Sequence, residues 1–189
     1  MSQPYQLAYL PICKNFEGCV PWFYLDTRSN VTVWVGFLVE SALIAQSLTM
    51  YLPGGMTLAT AQDKAQAWET VSAMQLGRLP ASYEYSGAPI MLPSDGDALL
   101  MSKLDTLDAG LTEGIPGFEN LPDAWKMALT DMAYNLGLHG LLGGYPKMLR
   151  AVQVGNGPLA GAECHRNGIN DERNQWTAAC FNGQVVDSV

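Results

Sequence analysis

Period-two patterning is concentrated in one short stretch of the chain. Residues 31–35, Val-Thr-Val-Trp-Val, are β-branched or aromatic and predict a strand. That strand puts Thr32 and Trp34 on one face and Val31, Val33 and Val35 on the other. A second strand is predicted just upstream at 22–25. The intervening run Asp26-Thr27-Arg28-Ser29-Asn30 is turn chemistry, so the pair reads as a β-hairpin. A short helix within residues 1–19 precedes it, closed near Gly18 and Pro21.

Most of the remaining patterning is helical. Thr60, with Asp63 in the first turn, predicts an N-cap for a helix over 61–75 that Gly77 and Pro80 close. Ser94 caps a helix over 95–111, with Leu99, Leu100, Leu104, Leu107 and Leu111 near one face. Gly114, Pro116 and Gly117 then break the chain. Pro122 opens a helix over 123–136 that ends at Gly137. It is apolar nearly all round, which marks a central buried helix. Shorter helices follow at 145–153, 158–166 and 170–181, the last capped by Asn170, and the tail 182–189 reads as loose. Residues 41–55 are ambiguous, and 78–94 read as a loop or short hairpin. The expectation is one α+β domain over 1–189: a small β-hairpin lobe at about 17–75, a larger helical lobe at about 95–182, and a cleft between them as the binding site.

Composition narrows the function. An apolar fraction of 48% with 15% charged residues predicts a folded globular protein. A net charge of −8 argues against binding nucleic-acid phosphates. The first residues lack a basic segment followed by an apolar core, so no cleaved signal peptide is expected, and no run is long enough for a membrane span. Cys13, Cys19, Cys164 and Cys180 are too sparse for a disulfide scaffold, and no Cys/His spacing suggests a metal. The thiols are either buried or joined in one or two disulfides. Neither a metal nor an organic cofactor is expected.

The candidate chemistry lies in residues 16–36. Eight residues separate Glu17 from Asp26, and five separate Asp26 from Thr32. This spacing can bring two carboxylates and a hydroxyl to one lip, as glycosidic cleavage requires. Glu17, beside Phe16, Val20 and Trp22, is either a general acid with a raised pKa or a solvated helix-end residue. Asp26 taken alone is a turn residue, and Thr32 taken alone an ordinary strand residue.

This stretch resembles the phage-type lysozymes, glycoside hydrolase family 24 and its relatives, in Glu17-Gly18, Tyr24, Asp26-Thr27, Asn30, Thr32 and Gly36. Ala133-Tyr134-Asn135-Leu136-Gly137 is similar to the family's central-helix signature. Gly168-Ile169 followed by Arg173 resembles its C-terminal segment. The resemblance implies a lysozyme-like fold and a muramidase that cleaves the β-1,4 bond between N-acetylmuramic acid and N-acetylglucosamine in peptidoglycan. Glu17 would be the acid, and Asp26 with Thr32 would hold the attacking water. Carboxyls roughly 6.5–9.5 Å apart would give inversion. Tyr24 and Asn135 would line the sugar groove, and Arg173 would pair with Glu17 across the lobes; alternatively Arg173 is a surface helix charge. Trp34 and Phe37 depart from the family pattern. Trp34 either forms a sugar-stacking wall or crowds the cleft, and in the crowded case the chain is a binding module.

Further expectations follow from the resemblance. The chain is also similar to lysozyme-like effectors of type VI secretion, which act in a rival's periplasm and imply a cognate immunity protein. A phage endolysin and a chitinase-like hydrolase are alternatives. If Glu17 and Arg173 meet, Cys13 and Cys180 approach and a disulfide is expected there, worth on the order of 4 kcal/mol. His139 reads as a loop residue near the cleft.

Overall fold

The computed structural model describes residues 4–184. Those residues form an α+β structure of eight α-helices and one three-stranded antiparallel sheet. The chain separates into two compact units. One is Glu17–Leu100, which carries the sheet; the other joins Met1–Phe16 to Met101–Val189 and is helical. No helix among the described residues is long and apolar enough to cross a membrane. Of the tail expected to be loose, residues 185–189 lie outside the described residues, and Asn182 still caps the last helix.

Helix α1 (Pro4–Glu17) buries Tyr5, Gln6, Tyr9, Ile12 and Cys13, a stripe at helical spacing. Gly18 stops it by taking a φ of 74°, a conformation that costs glycine little. The chain then enters β1 (Val20–Leu25). Asp26 donates its backbone N–H to the Asn30 carbonyl at 2.9 Å, closing the predicted hairpin into β2 (Val31–Trp34). Tyr24 pairs with Thr32 and Leu25 with Val31, and the register is irregular between Val20 and Tyr24. A third strand, β3 (Phe37–Leu38), sets Leu38 opposite Thr32 and Phe37 opposite Val33.

The ambiguous segment holds α2 (Ala42–Ser47), capped by Ser41, whose Oγ accepts the Ile44 N–H at 3.3 Å. Helix α3 (Ala61–Ser72) begins at the predicted cap. Thr60 Oγ1 accepts the Asp63 N–H at 3.2 Å while the Asp63 carboxylate accepts the Thr60 N–H at 2.8 Å, a reciprocal capping box. Side chains of α3 reach back to the backbone: Lys64 Nζ donates to the Leu48 carbonyl at 2.7 Å, and Trp68 Nε1 to the Val39 carbonyl at 2.8 Å. A short 3-10 turn at Pro80–Tyr83 accepts the Trp22 indole N–H on the Pro80 carbonyl at 3.0 Å. Within residues 78–94, Ile90 bridges to Tyr51.

Helix α4 (Pro93–Gly114) runs longer than predicted at both ends. The central helix α5 (Asp123–Gly144) buries Ala128 to Ala133 without a break. Its helical geometry fails at Gly137 (φ 74°, ψ 159°), where the pattern predicted an end, and then resumes, so His139 is helical rather than in a loop. Helices α6 (Pro146–Gln153), α7 (Gly157–Glu163) and α8 (Asp171–Phe181) complete the unit, with α8 packed on α5 and α7. Asn170 caps α8 as predicted, its Oδ1 accepting the Arg173 N–H at 2.8 Å.

None of the four cysteines is in a disulfide; Cys13, Cys164 and Cys180 are buried and Cys19 is exposed. The expected Cys13–Cys180 bridge is therefore not formed. Burial, with Asp131 and then Cys164 nearby, pushes the Cys180 thiol up to about 12. Cys180 thus sits in the company of Cys164 and a carboxylate, a setting that keeps it protonated and unreactive.

Candidate active site

Four of the predicted residues, Glu17, Tyr24, Asp26 and Thr32, lie in the sheet-bearing unit. Glu17 stands at the end of α1 and is exposed, not secluded among apolar groups as its sequence neighbours suggested. Tyr24 and Thr32 face each other across β1 and β2, and Asp26 begins the turn that joins them. Thr32 is buried, and its hydroxyl donates to the Tyr24 carbonyl at 3.2 Å. The Tyr24 phenol senses all three neighbours. Burial raises its pKa, hydrogen bonding with the Thr32 side chain lowers it, and the Glu17 and Asp26 carboxylates raise it again. The Tyr24 phenol thus feels the charge of both carboxylates.

Asp26 is fixed by its own turn. Its Oδ1 accepts the backbone N–H groups of Arg28 and Asn30, each at 2.8 Å, and its Oδ2 accepts Asn30 Nδ2 at 3.0 Å. Partial burial opposes ionisation, but these hydrogen bonds, with the Arg28 charge, outweigh it and hold the carboxyl below the usual carboxylate range. A carboxylate has about four acceptor positions, and three are occupied here. One remains for a water molecule.

Trp34 is corrected. The predicted alternation would turn it toward the Thr32 face, but its backbone takes a φ of 55° and its side chain is only 5% exposed. A Cβ added at Gly96 would lie 2.2 Å from the indole, so the ring lies directly on the first turn of α4. It is a core aromatic of this unit, neither a sugar-stacking wall nor a plug. The binding-module alternative loses the observation that favoured it. Phe37 is half-buried opposite Val33.

Asn135 and Arg173 belong to the helical unit. Asn135 is exposed on α5, two residues before the break at Gly137. Arg173 is not a surface charge. It is 5% exposed, and its guanidinium donates to Asp131 from Nε at 3.0 Å and from Nη2 at 2.8 Å. It also lies over the Phe16 ring, 5.2 Å from the centroid.

Asp131 is the residue that pattern reasoning missed. It is fully buried and also binds Arg166 Nη2 at 2.8 Å and the Tyr9 hydroxyl at 2.7 Å. Arg166 in turn donates to Thr177 Oγ1 at 2.7 Å, and Asn174 holds its backbone on both sides. A signal was present: an aspartate inside a run that is apolar all round must be paired or it would not be tolerated. Its arginine partners lie 35 and 42 residues further along the chain, beyond the reach of any local pattern. Among the described residues, no group of three or more His, Cys, Asp or Glu side chains could hold a metal ion. No protein-family model matches the chain, and no curated protein matches it.

Proposed function

We propose that the protein is a peptidoglycan muramidase with a lysozyme-like fold. What supports the reading is that Glu17, at the end of α1, adjoins the hairpin that holds Tyr24, Asp26 and Thr32, all four in one unit, with both carboxylates acting on the Tyr24 phenol. Glu17 is exposed, so its carboxyl can reach a glycosidic oxygen and protonate it as the bond to the anomeric carbon breaks. Asp26 is ionised and has one acceptor position left, which a water occupies. Thr32 spends its proton on the Tyr24 carbonyl, so its oxygen serves that water as an acceptor. With both water hydrogens directed at Asp26 and Thr32, the water lone pair is turned to the anomeric carbon. Asp26 takes the water proton as the new bond forms, and the product leaves with inverted configuration.

The substrate lies in a cell wall, so the protein acts as an antibacterial effector met by a cognate immunity protein, or as a phage endolysin. Proton NMR of the anomeric signals during digestion of peptidoglycan tests the proposal. The expected first product is the α-anomer of muramic acid at the reducing end. A β-anomer would overturn the inverting mechanism, and no new reducing end would overturn the enzyme.

A further inference from the structure

A groove of about 310 Å³ opens beside the Asp26 turn on the sheet-bearing unit, at the low end of the size range of small-ligand sites. Asn30, Leu38, Glu40, Trp68 and Ser72 line it. Nothing in the hydrolytic chemistry described above uses it.

The groove is continuous with the candidate site through two residues. Asn30 donates one amide N–H to Asp26 at 3.0 Å and lines the groove. Its amide also carries a second N–H and an acceptor oxygen. Leu38 pairs with Thr32, which pairs with Tyr24, so the three side chains form one row on one sheet face. Leu38 is 42% exposed at the end of that row. The far wall is Trp68, half-buried, with its indole pinned by the 2.8 Å bond to the Val39 carbonyl.

This lining selects a chemical class. It contains no lysine or arginine, and its one charge is the Glu40 carboxylate, so phosphates and carboxylate-bearing groups are disfavoured. A wholly apolar ligand would strand Asn30, Glu40 and Ser72 away from water. A pyranose suits both halves: its C–H face covers the indole and Leu38, while its hydroxyls and acetamide meet the amide, hydroxyl and carboxylate. We infer that this groove is a subsite for a neutral N-acetylhexosamine of the same glycan strand, an inference that rests on the muramidase reading. The neutral sugar is N-acetylglucosamine rather than N-acetylmuramic acid, whose lactyl substituent carries a bulky, acidic peptide stem that would face Glu40.

The test is calorimetric titration of the full chain and its variants with chitohexaose, alongside initial rates on peptidoglycan glycan strands. Ser72→Tyr fills the groove from an exposed position on α3, and Trp68→Ala removes its wall. Both should weaken chitohexaose binding about ten-fold and raise KM by a similar factor with kcat unchanged. Trp68→Ala also deletes a donor to Val39, so Ser72→Tyr decides the matter if Trp68→Ala unfolds. Hydrolysis by wild type with unaltered binding and KM in folded Ser72→Tyr would overturn the subsite and leave the muramidase standing. Binding that Ser72→Tyr weakens, without hydrolysis by wild type, would support the subsite and overturn the enzyme. Neither binding nor hydrolysis by wild type would overturn both.

Discussion

Asp26 carries two duties with one carboxylate. Its oxygens close the hairpin turn through Arg28 and Asn30, and the same hydrogen bonds favour its ionised form, which the proposed base needs. Because its folded pKa lies below the ordinary 3.8, the unfolded chain takes up a proton first as pH falls. Its contribution to stability is complete above 3.8 and is lost as pH falls from there through the lower folded value. An NMR pH titration should find the Asp26 carboxyl shift flat through the normal carboxylate range, with the Asn30 amide signal moving together with it below that. A midpoint at or above 3.8 would contradict the turn geometry. Asp131 is the helical unit's counterpart. Removing it in Asp131→Ala leaves Arg166 and Arg173 buried without their carboxylate, which should cost about 3–5 kcal/mol in denaturant unfolding. A loss near zero would mean that the network is solvated and unimportant to the fold. The buried aspartate was visible in the sequence as an anomaly, but its partners were not, since nothing local links position 131 to 166 or 173.

At the scale of elements, capping and turn chemistry were legible and tight packing was not. Thr60, Asp63 and Asn170 cap the helices they were expected to cap, because capping depends on residues three positions apart. The hairpin was legible for the same local reason. Strand β3 has only 2 residues and α2 only 6, too few to show a period. Gly114 was read as part of a break, yet it forms the last residue of α4, and Gly110 lies inside the same helix. A Cβ at either would strike Leu138 or Leu142, at 2.2 and 2.6 Å, so α5 side chains occupy the space where their own side chains would be. Trp34 misled for a related reason. Alternation assumes extended backbone, and the positive φ at Trp34 turns the side chain onto Gly96. Gly96→Ala tests that contact. Helix propensity alone favours alanine by roughly 1 kcal/mol, but the overlap with the indole should outweigh it and destabilise the protein by about 1–3 kcal/mol. Thermal unfolding with near-ultraviolet circular dichroism reads both the loss and the disturbed tryptophan. A stabilised variant would place the indole elsewhere.

At the scale of the whole molecule, the charge is the awkward term. A net −8 repels an anionic cell wall, and no basic patch was read from the sequence to offset it. On the muramidase reading, screening should therefore help this protein, where it would hinder a cationic one. Initial rates on isolated cell walls should rise between about 0.01 and 0.15 M salt, as the Debye length falls from about 30 to 8 Å. Rates on short neutral oligosaccharides should not change. A fall with salt on both would show that attraction, not repulsion, governs the encounter. The coarse α+β class and the hairpin with Asp26 at its turn were both readable from the sequence, because each rests on short-range patterns. The groove at Trp68 was not, because β3 and α3 meet only through tertiary packing.

The central claim is that Glu17 is the acid of a glycan-cleaving hairpin. Muropeptide analysis of purified peptidoglycan, digested in parallel with wild type and Glu17→Gln, addresses it most directly. Glutamine keeps the size and shape of the side chain and removes its proton, so the variant should fold as wild type does. Wild type should release products with muramic acid at the reducing end. Glu17→Gln should release them at least about 10²-fold more slowly, the scale of a lost general acid. Equal release by both proteins, or none by a folded wild type, would contradict the account.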